Sequence, residues 1–413
     1  MPTAASRSER ICLIPLTNAV SGTERVVVDI AKALHTRGQS VGVILPEGEP
    51  LDRLAQSLRP HTTIVARIGK VTGKVAFGRN LIPVLKFLQT WRPTIVHFHC
   101  PHHRWGLDVV LAAHLARIPH LIRTEHNPLM QAPDAGIGLL LRLADHNITT
   151  FTYVSQGNQH RYEQLLPYRV GRGLLIRNGI DPSRFTPTSN PDARKQLRTL
   201  FGFPASSKLA VYVGSFGDRR SLRPVFAAFR LLLSEEAPDL VRNWRILVIG
   251  AGPEDEQAIP AELGITSFVH FAGRHEDVAA ILPHCDLFVS ASAFEGMSIA
   301  ILEAWAAGLP VLATQVDGIA DVIGDQPWRQ FMVPHGDVLR FARMWHTLMH
   351  ESAAIRTVHA QASTDVRLKF TIARMIESYL QLYGKASDEP SLTHLPTESE
   401  VSRVVPLGFE SEG

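Results

Sequence analysis

Cysteine is scarce in this chain. Cys12, Cys100 and Cys285 are the three in 413 residues, far apart and with no Cys-x-x-Cys pair. That excludes a disulfide framework and a zinc ribbon, and the three read as buried strand residues. Long apolar runs are also missing. None approaches the ~18 residues that cross a bilayer. The stretch 11–16 is too short for a signal-peptide core and reads as a first strand, so a cytoplasmic location is the expectation. Residues 250–255 lack the third glycine of a dinucleotide loop, and residues 69–75 lack the spacing and the Ser/Thr of a P-loop. No Gly-x-Ser-x-Gly elbow supports hydrolase chemistry. No Asp-x-Asp triplet is present to hold a divalent metal. Acidic residues are absent between Asp52 and Asp108, while Arg59, Arg67, Lys70, Lys74, Arg79, Lys86, Arg92 and Arg104 fall there.

The net charge of +3 therefore hides an asymmetry, with 21 Lys/Arg against 11 Asp/Glu in residues 1–180. A basic first half points to an anionic partner, a membrane surface or a phosphate-bearing acceptor; nothing points to nucleic acid. Apolar content of 45% and charged content of 20% are those of a globular protein. The length suits two cores of roughly 180 residues each.

Strand-like runs alternate with amphipathic helical segments, the pattern of parallel α/β architecture. The spacing predicts strands at 11–16, 41–45, 62–66, 94–99, 121–124, 150–154 and 174–176. After a polar break it restarts at 208–213, 245–249, 268–271, 287–290 and 311–313. Residues 23–36 carry Val26, Val27, Ile30, Ala33 and Leu34 on one helical face, and 77–91 is also helix-periodic. Turn chemistry at Asn178-Gly179-Ile180-Asp181-Pro182 marks the linker. The expected domains are 1–182 and 183–365, then a helix at 366–385 returning to the first domain and a disordered tail at 386–413.

The most informative stretch runs from Ser290 to Val311. A strand ends, a loop presents Glu295 and Gly296, and a helix starts near Ser298. Free N–H groups at that helix start suit a phosphate or sugar oxygen. Glycine at 296 permits close backbone approach. Glu303 follows eight residues after Glu295, so two carboxylates can hold hydroxyls on different parts of one long ligand.

Here the sequence resembles the retaining glycosyltransferases of family 4, of the GT-B fold. Their hallmark is matched by Glu295-Gly296, Leu302-Glu303-Ala304, Ala306, Gly308, Pro310 and Val311. The likeness extends to Ser21-Gly22-Thr23-Glu24-Arg25, residues 95–99, Thr124-Glu125-His126-Asn127, Asn178-Gly179-Ile180-Asp181, residues 249–253 and Phe271-Ala272-Gly273-Arg274. The resemblance implies two Rossmann-like domains facing each other across a crevice. It implies that Glu295 binds donor-sugar hydroxyls and Glu303 the nucleotide ribose. Gly296, Met297, Ser298 and Ile299 would hold sugar and phosphate through their backbone, and Gly22 would approach the diphosphate. Glu24 would face the acceptor, His126 would sit beside the sugar, and Arg274 near the base.

One departure stands out. Where the family places Arg and Lys on the diphosphate, this chain has Ser215 and Arg220, and Arg220 is expected to carry the leaving-group charge. The implied partners are a nucleotide sugar and a lipid-linked or polysaccharide-type acceptor. No cofactor and no metal are expected. The histidines His97, His99, His102 and His103 around Cys100 read as a strand end at the crevice rather than a metal site. Two rivals stay open: an epimerase or hydrolase of sugar nucleotides on the same fold, and a binding subunit that keeps the fold without the catalysis.

Overall fold

A computed structural model describes residues 9–18, 22–71, 78–188, 190–235, 238–275, 277–350 and 352–388. The first sheet contains β1 (Arg10–Pro15), β2 (Ser40–Pro46), β3 (Ile64–Ile68), β4 (Ile95–Cys100), β5 (His120–Glu125), β6 (Thr150–Tyr153) and β7 (Gly173–Leu175). The second contains β8 (Lys208–Val213), β9 (Trp244–Ile249), β10 (Val269–Gly273), β11 (Leu287–Ser290), β12 (Val311–Thr314) and β13 (Met332–Val333). Every pairing is parallel, in the orders β3-β2-β1-β4-β5-β6-β7 and β10-β9-β8-β11-β12-β13. Both sheets are therefore doubly wound, with the order reversing between β1 and β4 in one and between β8 and β11 in the other. In such sheets the crevice beyond the strand ends at the reversal is where ligands bind. Helices cover both faces, which is why β4 is buried along its whole length, its alternate histidines His97 and His99 included.

Three departures from the sequence reading have local causes. Strand β3 starts at Ile64 because Arg59–His61 forms a 3₁₀ turn and Thr62 Oγ1 donates to the Leu58 carbonyl at 3.0 Å, consuming the expected first residues. The helix expected from 77 runs Leu81–Trp91, with Pro83 in its first turn, where no N–H is needed. Phe77 lies outside the described residues. Strand β13, only two residues long, has no period to detect.

The chain crosses between the two halves twice, side by side. The Ile180 N–H donates to the Phe370 carbonyl at 2.9 Å, and the Ile372 N–H donates back to Ile180 at 2.8 Å. A Cβ on Gly179 would stand 2.3 Å from the Thr371 carbonyl oxygen, so only glycine lets the segments meet. Beyond the crossing, the Ile372–Asp388 helix buries Met375, Ile376, Tyr379, Leu382 and Tyr383 against Val26, Val27 and Ile30 of the Gly22–Thr36 helix. Residues 386–388 belong to that helix, and the rest of the expected tail lies outside the described residues.

Candidate active site

The two reversal points face each other, and most of the expected site residues meet there. On the second domain, β11 runs into the loop carrying Glu295, and Ser298 precedes the Ile299–Ala306 helix as its N-cap. Gly296 touches the first domain directly. A Cβ there would lie 1.9 Å from the His126 carbonyl oxygen, so the glycine is demanded by contact across the crevice. Met297 is buried, and its carbonyl accepts from Asn178 Nδ2 at 3.2 Å. Gly22 stands at the start of its helix against Ile299, whose Cδ1 would be 3.1 Å from an added Cβ.

Glu295 is 3% exposed and is gripped by Arg220, Nε to Oε1 at 2.5 Å and Nη2 to Oε2 at 2.7 Å. Ser292 Oγ also donates to Oε1, at 3.0 Å. Burial alone would raise the Glu295 pKa; the Arg220 guanidinium outweighs it and holds the carboxyl below its usual range. The remaining Arg220 nitrogen, Nη1, lies 3.3 Å from Ser215 Oγ. The two positions expected at the diphosphate therefore touch each other, and Arg220 is first of all the partner of Glu295.

Glu303 is buried, and its pKa is raised by that burial. Its ion pair comes from the opposite domain: Arg25 Nη1 to Glu303 Oε1 at 2.8 Å. No local signal in the sequence marks Arg25, an exposed helical arginine, as the partner of a carboxylate 278 positions on. Other bonds across the crevice run from Arg161 Nε to Asp317 Oδ2 at 3.0 Å and from the Gln156 and Gly157 amides to the Asp321 carboxylate.

On the first domain, His126 follows β5 and its Nε2 lies 3.1 Å from His99 Nδ1. His97 Nδ1 bonds the Tyr383 hydroxyl and His97 Nε2 the Thr124 hydroxyl, each at 2.7 Å. Burial lowers the pKa of His97 to about 3 and of His126 to about 4, so both rings are neutral at pH 7. His102 and His103 stack on each other with Trp105 beside them. Among the described residues, no group of three or more His, Cys, Asp or Glu converges in the manner of metal ligands. Glu24 is buried in the first turn of its helix. Arg274 stands exposed just after β10, the edge strand of the second sheet.

Beneath His126 lies a charged network that the sequence reading missed. Arg123, Glu125, Asp145 and Arg169 are all fully buried. Glu125 Oε1 accepts from Arg123 Nε at 2.7 Å and Arg169 Nη1 at 2.8 Å, and Tyr162 donates to Oε2 at 3.0 Å. Arg169 Nε and the Tyr168 hydroxyl donate to Asp145 Oδ2 at 2.7 and 3.0 Å. Two cations and two anions thus neutralise one another and fix the end of β5 where His126 emerges. Arg123 and Glu125, two apart and so on one face of a strand buried along most of its length, were the available signal, since such a pair needs buried partners.

Two doubly wound domains that meet at their reversal points form the GT-B arrangement, and likeness to known proteins gives the class, a glycosyltransferase. Two family models agree with that class: "Glycosyltransferase Family 4" matches residues 20–184 and "Glycosyl transferases group 1" residues 207–351. The chain is 24% identical over 408 residues to the 2-deoxystreptamine N-acetyl-D-glucosaminyltransferase of Streptomyces fradiae, covering 90% of this chain and 93% of that protein. It is 24% identical to an Escherichia coli UDP-Gal:alpha-D-GlcNAc-diphosphoundecaprenol alpha-1,3-galactosyltransferase, over 75% of this chain and 80% of that one. Several further curated relatives are matched over only about half of their own length, 46% to 54%. Among solved structures, Anabaena Alr3699/HepE in complex with UDP-glucose superposes with a TM-score of 0.76 at 17% identity, over 91% of this chain and 99% of that one. At that identity the likeness speaks for the fold.

Proposed function

We propose that this protein is a retaining, family-4 type transferase. It moves a sugar from a nucleotide-sugar donor to a lipid-linked or polysaccharide-type acceptor in cell-surface glycan synthesis. The observation that carries the reading is the pair Glu295 and Glu303, buried at the reversal point of the second sheet, with the Gly296 backbone pressed against the His126 carbonyl.

In this reading Glu295, kept ionised by Arg220, accepts hydrogen bonds from donor-sugar hydroxyls, and Glu303 accepts those of the ribose. The backbone from Gly296 to Ile299 and the start of the following helix hold sugar and phosphate. Gly22 brings the first domain to the diphosphate, Glu24 faces the acceptor, and neutral His126 lies beside the sugar. The anomeric C–O bond breaks as charge gathers on the departing diphosphate. That charge is the largest quantity the site must stabilise, and fixed N–H groups and guanidinium groups supply the stabilisation. The acceptor oxygen attacks the same face, the donor phosphate takes its proton, and the anomeric configuration is kept. No metal or cofactor enters the scheme.

The acceptor reading is supported by surface character. Lys70, Arg79 and Lys86 are exposed on the first domain, and Ile82, 60% exposed, lies one turn from Lys86. Lys74 lies outside the described residues. Such a face suits peripheral binding to an anionic cytoplasmic leaflet. No helix among the described residues is long and apolar enough to cross a membrane. The test is transfer from a panel of nucleotide sugars to undecaprenyl-diphosphate-linked and soluble glycan acceptors, with the product anomer read by NMR. A retained anomer supports the reading. An inverted product, or donor consumed equally fast without acceptor, refutes it.

A further inference from the structure

The loop after β8 carries two adjacent arginines with different surroundings. Arg220 forks onto both oxygens of Glu295, and its third nitrogen meets Ser215. The Arg220–Glu295 pair is neutral as a whole, so its field on a nearby anion is weak. Arg219 is held in another way. Its guanidinium lies over the Phe294 ring, 5.6 Å from the centroid, and its carbonyl accepts the Ala293 N–H at 2.7 Å. Among the described residues no carboxylate comes within ion-pair distance of it, whereas Arg220 has one at 2.5 Å. Burial lowers the Arg219 pKa, and the neighbouring Arg220 charge lowers it further, with Glu295 opposing. Its charge also reaches His102, which belongs to the first domain and lies on the other side of the crevice. Residues 215–220 and Pro253 line a cavity of about 250 Å³ beside it.

We propose that Arg219 is the guanidinium that meets the donor's diphosphate, and that Arg220 is a positioning residue holding Glu295 in place for the sugar. This rests on the nucleotide-sugar reading above and reverses the role that the sequence gave Arg220. A half-buried cation without a carboxylate partner gains most when an anion arrives, because the arriving charge replaces lost solvation and relieves the repulsion from its neighbour. A guanidinium already forked onto a carboxylate gains least, since its two best-aligned donors are taken.

The experiment is calorimetric titration of UDP, dTDP, ADP and GDP onto the full chain, each with its nucleoside as the phosphate-free control. Arg219→Gln is expected to weaken the bound diphosphate by about 10- to 100-fold, the range of one charged hydrogen bond, and to leave the nucleoside unchanged. Arg219→Lys should recover most of the loss. Arg220→Gln should leave diphosphate affinity within a few-fold and lower turnover. It should also move the acid limb of the pH profile upward, because buried Glu295 takes up a proton more readily without its partner. An Arg219→Gln variant that binds diphosphates like the wild type overturns the assignment and leaves the nucleotide-sugar reading standing. So does one that loses nucleoside and diphosphate equally, because that marks a collapsed loop. A wild type that binds none of the four diphosphates overturns both.

Discussion

Arg169→Met tests the buried network under His126. The substitution keeps an unbranched side chain of similar length and removes the charge. It deletes the bonds to Asp145 at 2.7 Å and Glu125 at 2.8 Å, and the stacking of the guanidinium over Phe151 at 4.3 Å and Tyr162 at 4.8 Å. Breaking a buried pair from one side costs ~3–5 kcal/mol because an uncompensated charge remains. Glu125 keeps Arg123 and Tyr162, and Asp145 keeps Tyr168 and, at 3.4 Å, Arg123, so the lower end of that range, about 3 kcal/mol, is the expected loss. For a domain of this size that corresponds to a fall of ~6–12 °C in Tm. The pH dependence separates this cause from a simple packing defect. Burial alone would raise the Glu125 pKa, but Arg123 and Arg169 outweigh it and hold it low. A depressed folded pKa contributes stability above the unfolded value of about 4.3, and that contribution is lost as pH falls through the folded pKa. Without Arg169 burial wins, the folded pKa rises, and the variant loses less on acidification. Melting curves from pH 7 to pH 3 should therefore show a deficit that is largest near neutrality and narrows in acid. A loss under 1 kcal/mol, or a deficit constant with pH, would refute the reasoning.

The remaining predictions concern the crevice and the surface. Glu295→Ala and Glu303→Ala should each cut turnover by ~100-fold or more without lowering Tm by more than a few degrees. Glu303→Ala should also weaken the bare nucleoside diphosphate; folded variants with near-native rates would remove both from the site. Transfer should survive exhaustive chelation, and activity abolished by chelator and restored by magnesium or manganese contradicts the metal-free scheme. Replacing Lys70, Lys74, Arg79 and Lys86 by Gln should reduce sedimentation with anionic vesicles at least several-fold and spare turnover on a short soluble acceptor. Equal binding of the wild type to neutral and anionic vesicles counts against the electrostatic account.

The sheets were legible because parallel strands buried on both faces are written as short continuous apolar runs, such as Leu209–Val213 and Leu287–Val289. Each of the twelve expected strands has a counterpart, and the differences arise where a run has a competing use. Thr62 is such a case, since its hydroxyl closes the preceding helix rather than opening a strand. The reversal of strand order in each sheet was not legible. Order depends on which side of the first strand a crossover packs, and no residue pattern within a strand encodes that.

Within the crevice, residues that stand out in the sequence do so for local reasons, and those defined by partners far along the chain do not stand out. Gly296 stands out in a loop before a helix, and the structure supplies the reason, the His126 carbonyl 1.9 Å from where a Cβ would be. Arg25 and Arg169 look like any other arginines in sequence. One sits half-exposed on a helix and meets Glu303 across the crevice; the other is wholly buried and shared between Glu125 and Asp145. The same logic divides Arg219 from Arg220. They are neighbours in one loop with the same side chain, and what separates them is that Glu295, 75 residues beyond Arg220, points at one and not the other. A carboxylate that must stay ionised in a buried site needs a fixed cation, and a cation fixed in that way is no longer the strongest attraction for a second anion. In the proposed site the two tasks therefore fall to different guanidinium groups of one loop, Arg220 on the Glu295 carboxylate and Arg219 on the diphosphate.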